Sequence, residues 1–349
     1  MGKTTTRNMT YAILSEMGKG GTSIKSFNNH TGVPYTLCSF NQDYKFGVVE
    51  MGMNHLRELS HLGSIACPNV CAITTVAPVH IGHLGSLENI AKAKLEILEY
   101  AAENSPLIVP ADNEVLWNEI RAQKIREKHP ILAFGYNADC DSWVSNVKNE
   151  GLDGISFTLH LKNESIDIKS SVAGEYNALN FAIAALIART VFPTITLEQI
   201  KRGIENFANE KMRFETLTLG NRLIINDAYN ANSESIKGLL RVAEVEKNKG
   251  KKIGLVLGDV RELGEHAIKY HEEIAQAVAH LKPNFCVSVG EYASIIQAAC
   301  NTRNIPSLTA SLSNDNAIID FIKKQDYDIL FVKGSRGIAL ETVIENLKK

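Results

Sequence analysis

The chain has 349 residues, 44% of them hydrophobic and 22% charged, so it is long enough for two or three domains with apolar cores. Its net charge of −2 and its scattered lysines and arginines argue against a nucleic-acid partner or an anionic-membrane surface. No apolar run approaches the length of a membrane span, so we expect no membrane insertion. The six cysteines lack zinc-binding spacing, which is typical of reduced thiols in a cytoplasmic protein.

The chain opens on Gly2-Lys3-Thr4-Thr5, the closing half of a phosphate-binding loop. In such a loop, backbone N–H groups at a helix N-terminus hold phosphate oxygens, the lysine reaches the terminal phosphates, and the first hydroxyl binds Mg²⁺. The spacing of Met9 and Ile13 predicts that a helix follows, over 4–17. The glycines and the strand that normally open the loop are absent from the sequence, so we expect a first domain that is truncated at its N-terminus.

The first half of the chain predicts strands that alternate with helices. Short apolar runs predict buried parallel strands at 46–51, 70–76, 107–109 and 131–134. Helices are expected at 86–103, 113–128 and 176–191, and Thr196 is expected to cap another that ends near 207. Between 142 and 172 apolar residues alternate, which indicates a few antiparallel strands.

The pattern restarts near residue 210, which predicts domains at 1–210 and 211–349. The second half reads as strands at 222–226, 253–257, 285–289 and 329–332, with helices at 234–247, 266–280, 292–300 and 337–348. Regular alternation of strands with helices predicts a mostly parallel sheet, so the fold class is α/β.

Several unusual polar residues follow directly after the predicted strands. They are Glu50, His80, Asp227, Asp259 and Lys333. Any one of them could be an exposed loop residue, and His80 could simply hydrogen-bond to backbone. Because ligands of open α/β sheets bind beyond the carboxyl ends of the strands, five together favour a ligand site. Glu50, His80 and the Thr4 hydroxyl suit Mg²⁺ and its bound phosphates.

Lys94 falls within the apolar stripe of the helix predicted at 86–103, whereas Lys92, Glu96 and Glu99 fall on its polar face. A lysine that faces the core must extend its amine to solvent, pair with an acid, or lose its charge. A neutral amine can react with carbon dioxide to form a carbamate, an anionic ligand for a second Mg²⁺. The sequence pattern alone does not decide whether the Lys94 amine extends to solvent or forms a carbamate.

Taken together, these segments resemble the Mur ligase family over nearly the whole chain. The matching segments are 2–6, 28–34, 50–54, His80, 85–86, 90–97, 176–180, 212–215, 226–232, 257–264 with His271, and 333–337. The most specific are Tyr229-Asn230-Ala231-Asn232 and Leu257-Gly258-Asp259-x-x-Glu262-Leu263-Gly264. The resemblance implies a central P-loop-type ATPase domain with a mostly parallel sheet, followed by a smaller Rossmann-like α/β domain.

The resemblance also implies roles for individual residues. The implied catalytic residues are Lys3, His80 and Lys94. The implied ATP-binding residues are Gly2, Lys3, Thr4, Thr5, Asn177, Asn180, Arg213 and Asp227. The implied metal ligands are Thr4, Glu50, His80 and Lys94 as a carbamate. The implied substrate-cleft residues are Asn28, Asn29, Tyr229, Asn230, Ser335 and Arg336.

The activity that the resemblance implies is ATP-dependent amide ligation in peptidoglycan precursor synthesis, by a cytoplasmic monomer. The substrates would be UDP-N-acetylmuramoyl-tripeptide and D-alanyl-D-alanine, joined through an acyl phosphate with two Mg²⁺ ions. One alternative is a ligase that extends folate with glutamate, which the segment Tyr229-Asn230-Ala231-Asn232 disfavours. Another is an inactive remnant or a binding subunit that a separate N-terminal domain completes.

Overall fold

The computed structural model describes residues 2–78 and 81–349, which divide into two compact units. Unit 1 comprises the chain up to Lys148, Ile155–Ser171 and Glu175–Phe207. Unit 2 comprises Asn149–Gly154, Val172–Gly174 and Ala208–Lys349. The main division therefore falls at 207/208, and two short segments from the first half of the chain group with unit 2.

Unit 1 contains eight of the described helices and eight of the described strands. The helices are α1 Lys3–Leu14, α2 Gly32–Cys38, α3 Glu58–Ala66, α4 Ile81–Leu84, α5 Leu87–Leu95, α6 Glu114–Ala122, α7 Asn177–Val191 and α8 Leu197–Glu205. The strands are β1 Gly20–Thr22, β2 Phe46–Val48, β3 Cys71–Ala72, β4 Leu107–Pro110, β5 Ile131–Gly135, β6 Ser142–Asn149, β7 Ile155–Leu161 and β8 Glu164–Ser170.

Two sheets organise unit 1. Strands β1 and β2 form a parallel pair, and the other six lie in the order β3-β4-β5-β6-β7-β8. Pairing is parallel from β3 to β6 and antiparallel between β7 and β8. Helix α1 packs against α7 and α8. It approaches α8 closely at Gly203, where an added Cβ would lie 2.6 Å from the Ile13 Cα.

Unit 2 contains the remaining described elements. The helices are α9 Ser233–Asn248, α10 Ala267–Leu281, α11 Ala293–Asn301, α12 Asn316–Lys323 and α13 Glu341–Leu347. The strands are β9 Glu215–Leu219, β10 Arg222–Asn226, β11 Ile253–Gly258, β12 Phe285–Val289, β13 Ser307–Ala310 and β14 Ile329–Lys333. They form one sheet in the order β13-β12-β11-β14-β10-β9, parallel except for the β9–β10 pair.

Helices cover both faces of the unit 2 sheet. Every residue of β11, β12 and β14 is buried, as expected for central parallel strands between two helix layers. Leu255 packs in a cluster with α9, α10 and α11, whereas the next residue, Val256, packs in a second cluster with α12 and α13. The predicted α/β class, with its parallel-dominated sheets, is confirmed.

Some elements differ from the sequence predictions. The sequence did not predict α2, α3, α4, α12, β1, β9 or β13, most of which are short. The strands predicted at 46–51 and 70–76 shrink to β2 and β3, and the helix predicted at 86–103 becomes α5 followed by a 3₁₀ turn at Glu96–Leu98. None of the described helices is both long and apolar enough to cross a membrane.

The Thr196 cap offers a test of the local structure. The predicted cap at the start of α8 is confirmed and is a capping box: the Thr196 Oγ1 accepts the Gln199 N–H at 3.2 Å, and the Gln199 Oε1 accepts the Thr196 N–H at 2.9 Å. We expect Thr196→Ala to lower the free energy of unfolding by about 1 kcal/mol, because the orphan N–H groups of the helix lose their acceptor. Urea denaturation measures the loss. Thr196→Ser keeps the hydroxyl, so an equal loss in that variant would contradict the assignment.

Candidate active site

The first turn of α1 is built around a glycine. Gly2 is the N-cap of the helix with φ 70°, a left-handed conformation that glycine adopts without strain. An added Cβ there would lie 2.8 Å from the Asn180 Oδ1, so the position also lacks room for a side chain. Asn180 accepts a hydrogen bond from the Thr6 Oγ1 at 3.4 Å and donates one to the Asn177 Oδ1 at 2.9 Å. Asn177 and Asn180, both predicted to bind ATP, therefore lie beside the start of α1.

The N-terminus of α1 is suited to an anion. No side chain caps it, and its first turn contains no acidic residue, so the positive end of the helix dipole is not neutralised locally. Lys3 occupies the first helical position, Thr4 is buried and Thr5 is partly exposed. Within the described residues, Lys3 forms no ion pair with a carboxylate. Backbone N–H groups, an amine and a hydroxyl thus lie together at one helix end.

Glu50 supplies a buried carboxylate with one oxygen left open. Its side chain lies just beyond β2 and the residue is only 5% exposed. The Asn28 Nδ2 donates to Oε1 at 2.8 Å, and the backbone N–H of Glu50 donates to the Ser23 Oγ at 2.8 Å. Oε2 is buried without a hydrogen-bond partner in the described part of the chain. Because an orphaned buried oxygen is costly, this arrangement fits a cation ligand.

Arg7 is the residue at this site that the sequence analysis missed. It is buried one helical turn after Lys3, and its Nη1 lies 3.9 Å from the Glu50 Oε2. The same nitrogen donates to the Ser23 carbonyl at 2.8 Å and to the Lys25 carbonyl. A signal was present, since a basic residue four positions after Lys3 lies on the same face of the helix.

Lys94 lies on α5 with its amine largely removed from solvent. Burial, and after it the positive charge of Lys3, lowers the pKa of the Lys94 amine to about 7. No described carboxylate pairs with it. The influence of Lys3 on this pKa means that the two amines lie close enough to repel each other. An anion, either a phosphate or a carbamate on Lys94 itself, would relieve that repulsion.

The placement predicted for Glu96 was wrong. Glu96 is buried rather than on the polar face, and its two carboxylate oxygens accept the Arg57 N–H at 2.8 and 2.9 Å. Arg57 is the N-cap of α3 with φ 72°, and its side chain pairs with Glu99 at 3.0 Å. The prediction assumed a continuous α-helix over 86–103. It fails at Glu96 because α5 ends at Leu95 and the chain continues as a 3₁₀ turn.

Asn29, another predicted residue of unit 1, uses its side chain to start a helix. The exposed Asn29 uses its Oδ1 to accept the N–H groups of Thr31 and Gly32 at 3.2 and 2.9 Å, at the start of α2. His80, predicted as a metal ligand, lies outside the described residues. Within 2–78 and 81–349, no three histidine, cysteine, aspartate or glutamate side chains form a metal-binding group.

In unit 2, Asp227 forms an ion pair with a buried lysine. The Lys333 Nζ lies 2.5 Å from the Asp227 Oδ2 and also donates to the Asn230 carbonyl at 3.1 Å. The Asp227 Oδ1 accepts the Phe214 N–H at 3.2 Å. Strands β10 and β14 are parallel neighbours, so residues at their carboxyl ends lie side by side. Asp227 and Asn230, both predicted site residues, therefore share the lysine as a partner.

Arg213 and Tyr229 also come together in unit 2. The Arg213 Cζ lies 4.2 Å from the centre of the Tyr229 ring, a cation–π contact, and the Tyr229 N–H donates to the Met212 carbonyl at 3.2 Å. Met212 and Phe214, on either side of Arg213, have φ values of 61° and 54°. Two left-handed non-glycine residues in three positions indicate local strain, which often accompanies functional segments.

Ser335 and Arg336, the last predicted cleft residues, differ in their surroundings. Ser335 is buried, with its Oγ accepting the Arg261 N–H at 3.0 Å and its N–H donating to the Asp259 carbonyl at 3.1 Å. Arg336 is exposed and pairs with Glu341 at 2.7 Å. The loops that follow β11 and β14 therefore hold Ser335 in place and leave Arg336 facing solvent.

Two family models match the sequence, the Mur ligase middle domain over residues 1–188 and the glutamate ligase domain of Mur ligases over 212–336. The chain belongs to the Mur ligase family. The UDP-N-acetylmuramoyl-tripeptide–D-alanyl-D-alanine ligase of Escherichia coli is 30% identical over 350 residues, which cover 100% of this Mur ligase and 75% of its relative. The resemblance seen in the sequence is confirmed.

Solved structures of other Mur ligases share the fold. MurF from Acinetobacter baumannii superposes with a TM-score of 0.86 at 26% identity, covering 100% of this chain and 74% of that one. MurF from Thermotoga maritima, solved in complex with ADP, has a TM-score of 0.81 at 21% identity, covering 100% of this chain and 77% of that one. These neighbours agree with an ATPase-like unit followed by a Rossmann-like unit.

The lowered pKa of Lys94 makes stability depend on pH. In the folded state the amine titrates near 7, whereas in the unfolded chain it titrates near 10.5, so between these values the unfolded chain binds more protons. The penalty for burying the charged amine is therefore complete below about pH 7 and disappears as the pH approaches about 10.5. We expect Lys94→Met to raise the free energy of unfolding most at the acid end of this window.

Urea denaturation without metal or bicarbonate, at several pH values across the window, measures that gain. Lys92→Met is the matched control, since Lys92 is exposed on the same helix. A gain from Lys94→Met that does not change with pH would contradict the assignment.

Proposed function

We propose that this chain is an ATP-dependent ligase that joins D-alanyl-D-alanine to UDP-N-acetylmuramoyl-tripeptide in peptidoglycan precursor synthesis. Relatives that carry this activity in their names match the chain along its whole length and support the substrate assignment. The observation that carries the proposal is the site in unit 1. There, a buried Glu50 oxygen that has no hydrogen-bond partner among the described residues accompanies an uncapped helix N-terminus with Lys3 at its first position.

ATP and Mg²⁺ fit the residues of unit 1. The N–H groups at the start of α1 and the Lys3 amine would hold the β- and γ-phosphates. The Glu50 Oε2 and the Thr4 hydroxyl would ligate Mg²⁺, with His80 as a further ligand. The ADP complex of the Thermotoga maritima relative supports nucleotide binding. When bound, Mg²⁺ supplies positive charge that offsets the charge of the phosphates.

A second Mg²⁺ would require another anionic ligand, which we assign to a carbamate on Lys94. The neutral amine attacks carbon dioxide, forms a new C–N bond, and releases one proton. The lowered pKa of Lys94 supports this step, because a large fraction of the amine is neutral near pH 7. The nearby Lys3 ammonium would stabilise the carbamate charge.

The reaction proceeds in two displacements. The terminal carboxylate of the tripeptide attacks the γ-phosphorus of ATP, which forms an acyl phosphate and releases ADP. The amine of D-alanyl-D-alanine then attacks the acyl carbon, loses a proton, and expels inorganic phosphate as the amide bond forms. Lys3 contributes by offsetting negative charge when the carboxylate approaches the triphosphate, which is the main electrostatic barrier.

The remaining roles are assigned residue by residue. Asn177, Asn180 and Asp227 would contact the adenosine, and Arg213 the phosphates. Tyr229, Asn230, Ser335 and Arg336 would line the substrate cleft, together with Asn29. The proposal includes a cytoplasmic monomer that does not insert into membranes.

Phosphate release tests the reaction directly. We expect release from ATP only when both UDP-N-acetylmuramoyl-tripeptide and D-alanyl-D-alanine are present. Glu50→Gln should lower the rate about a hundredfold or more, because the metal loses a charged ligand. Glu103→Gln alters an exposed carboxylate on the surface and serves as the control. No release, with or without an added N-terminal fragment of a relative, would contradict the proposal and favour the inactive remnant.

Carbamylation of Lys94 has its own readout. With ¹³C-bicarbonate, we expect a carbamate ¹³C NMR signal that grows as the pH rises through about 7, because the neutral amine is the reactive form. Lys94→Arg should abolish the signal, whereas Lys92→Arg should leave it. A signal that persists in Lys94→Arg would assign the carbamate to another amine.

A further inference from the structure

We propose that Arg7 and Asn28 are positioning residues, which fix the Glu50 carboxylate and leave its Oε2 available as a ligand for Mg²⁺. This inference rests on the proposed function, because it needs Glu50 to be a metal ligand. It changes the role expected for Asn28, which the family resemblance assigns to the substrate cleft. It also gives a role to Arg7, which the sequence analysis did not select.

Asn28 occupies one of the two carboxylate oxygens. Its Nδ2 donates to the Glu50 Oε1 at 2.8 Å, so this oxygen already has a partner. The Asn28 backbone is fixed too, because its carbonyl accepts the Gly52 N–H at 2.8 Å. Gly52 has no room for a side chain, since an added Cβ would lie 2.9 Å from the Asn28 Cγ. The amide therefore has little freedom to turn away from Glu50.

Arg7 supplies charge without occupying the other oxygen. Its Nη1 lies 3.9 Å from the Glu50 Oε2, beyond hydrogen-bond distance, while it donates to the carbonyls of Ser23 and Lys25. Nε and Nη2 donate to the Asn8 Oδ1 at 2.9 and 2.5 Å. These bonds hold the guanidinium in place. Its positive charge then compensates the buried carboxylate and leaves Oε2 free of a competing donor.

Ser23 joins the two halves of this arrangement. Its Oγ accepts the Glu50 backbone N–H at 2.8 Å, and its carbonyl accepts Arg7. The backbone of the candidate ligand and the guanidinium beside it are therefore tied to one residue. Partners that orient a ligand without touching the metal affect metal affinity about 10- to 100-fold.

Metal binding tests the inference without relying on catalysis. Mn²⁺ replaces Mg²⁺ as the probe, and its binding to the full chain is followed by electron paramagnetic resonance with a non-hydrolysable ATP analogue present. We expect Arg7→Met and Asn28→Ala each to raise the Mn²⁺ dissociation constant about tenfold, and Arg7→Lys to restore part of the loss. Arg202→Met is the control, since Arg202 lies exposed on α8 and pairs with Glu16 away from this cluster.

Glu50→Gln separates the inference from the function on which it rests. If Glu50→Gln leaves Mn²⁺ binding unchanged, the proposed metal site is wrong. If Glu50→Gln weakens binding but Arg7→Met and Asn28→Ala remain within about twofold of wild type, only the positioning roles are wrong. Thermal unfolding without Mn²⁺ checks each variant for folding. Should Arg7→Met not fold, Arg7→Lys and Asn28→Ala decide the outcome.

Discussion

The central constraint of this structure is a carboxylate that is buried yet only half satisfied. Burying an acid requires charge compensation and hydrogen bonds, and Glu50 obtains a nearby guanidinium and one amide donor for one of its two oxygens. The second oxygen stays open at the cost of some stability. Proteins accept such a cost at functional sites, and in the described part of the chain Lys3 and Lys94 also have no carboxylate partner.

The two units use their strands in the same way, although their ligand groups differ. In both, the polar residues that matter lie just beyond the carboxyl end of a parallel strand, where ligands of open α/β sheets bind. Unit 1 leaves its carboxylate oxygen open beside a helix N-terminus. Unit 2 instead pairs Asp227 with Lys333 across neighbouring strands, so its acid already has a cation and is held rigidly. One arrangement suits a metal, and the other suits hydrogen bonds to a neutral or anionic ligand.

Much of the fold and part of the site could be predicted from the sequence. Short apolar runs identified most of the parallel strands, and helical spacing over many residues identified most of the long helices. Short elements such as α2 and β1 have too few residues to show a hydrophobic periodicity that would predict them. At the site, residue types at strand ends identified Glu50, but its contacts with Arg7 and Asn28 could not be predicted. These contacts join segments that are far apart in sequence. Glu96 was placed wrongly for a different reason, because a 3₁₀ turn at the end of α5 changes the direction of its side chain.

The close approach of α1 and α8 at Gly203 limits which substitutions α8 can accept. Helix α1 carries Lys3 and Arg7, and its backbone lies close to α8 at Gly203, where no side chain separates the two helices. A larger residue at that position would push α1 and α8 apart, and α1 carries Lys3 and Arg7, which lie far from 203 in sequence. Substitutions in α8 are therefore limited by the need to keep α1 in position, although none of the candidate site residues lies on α8.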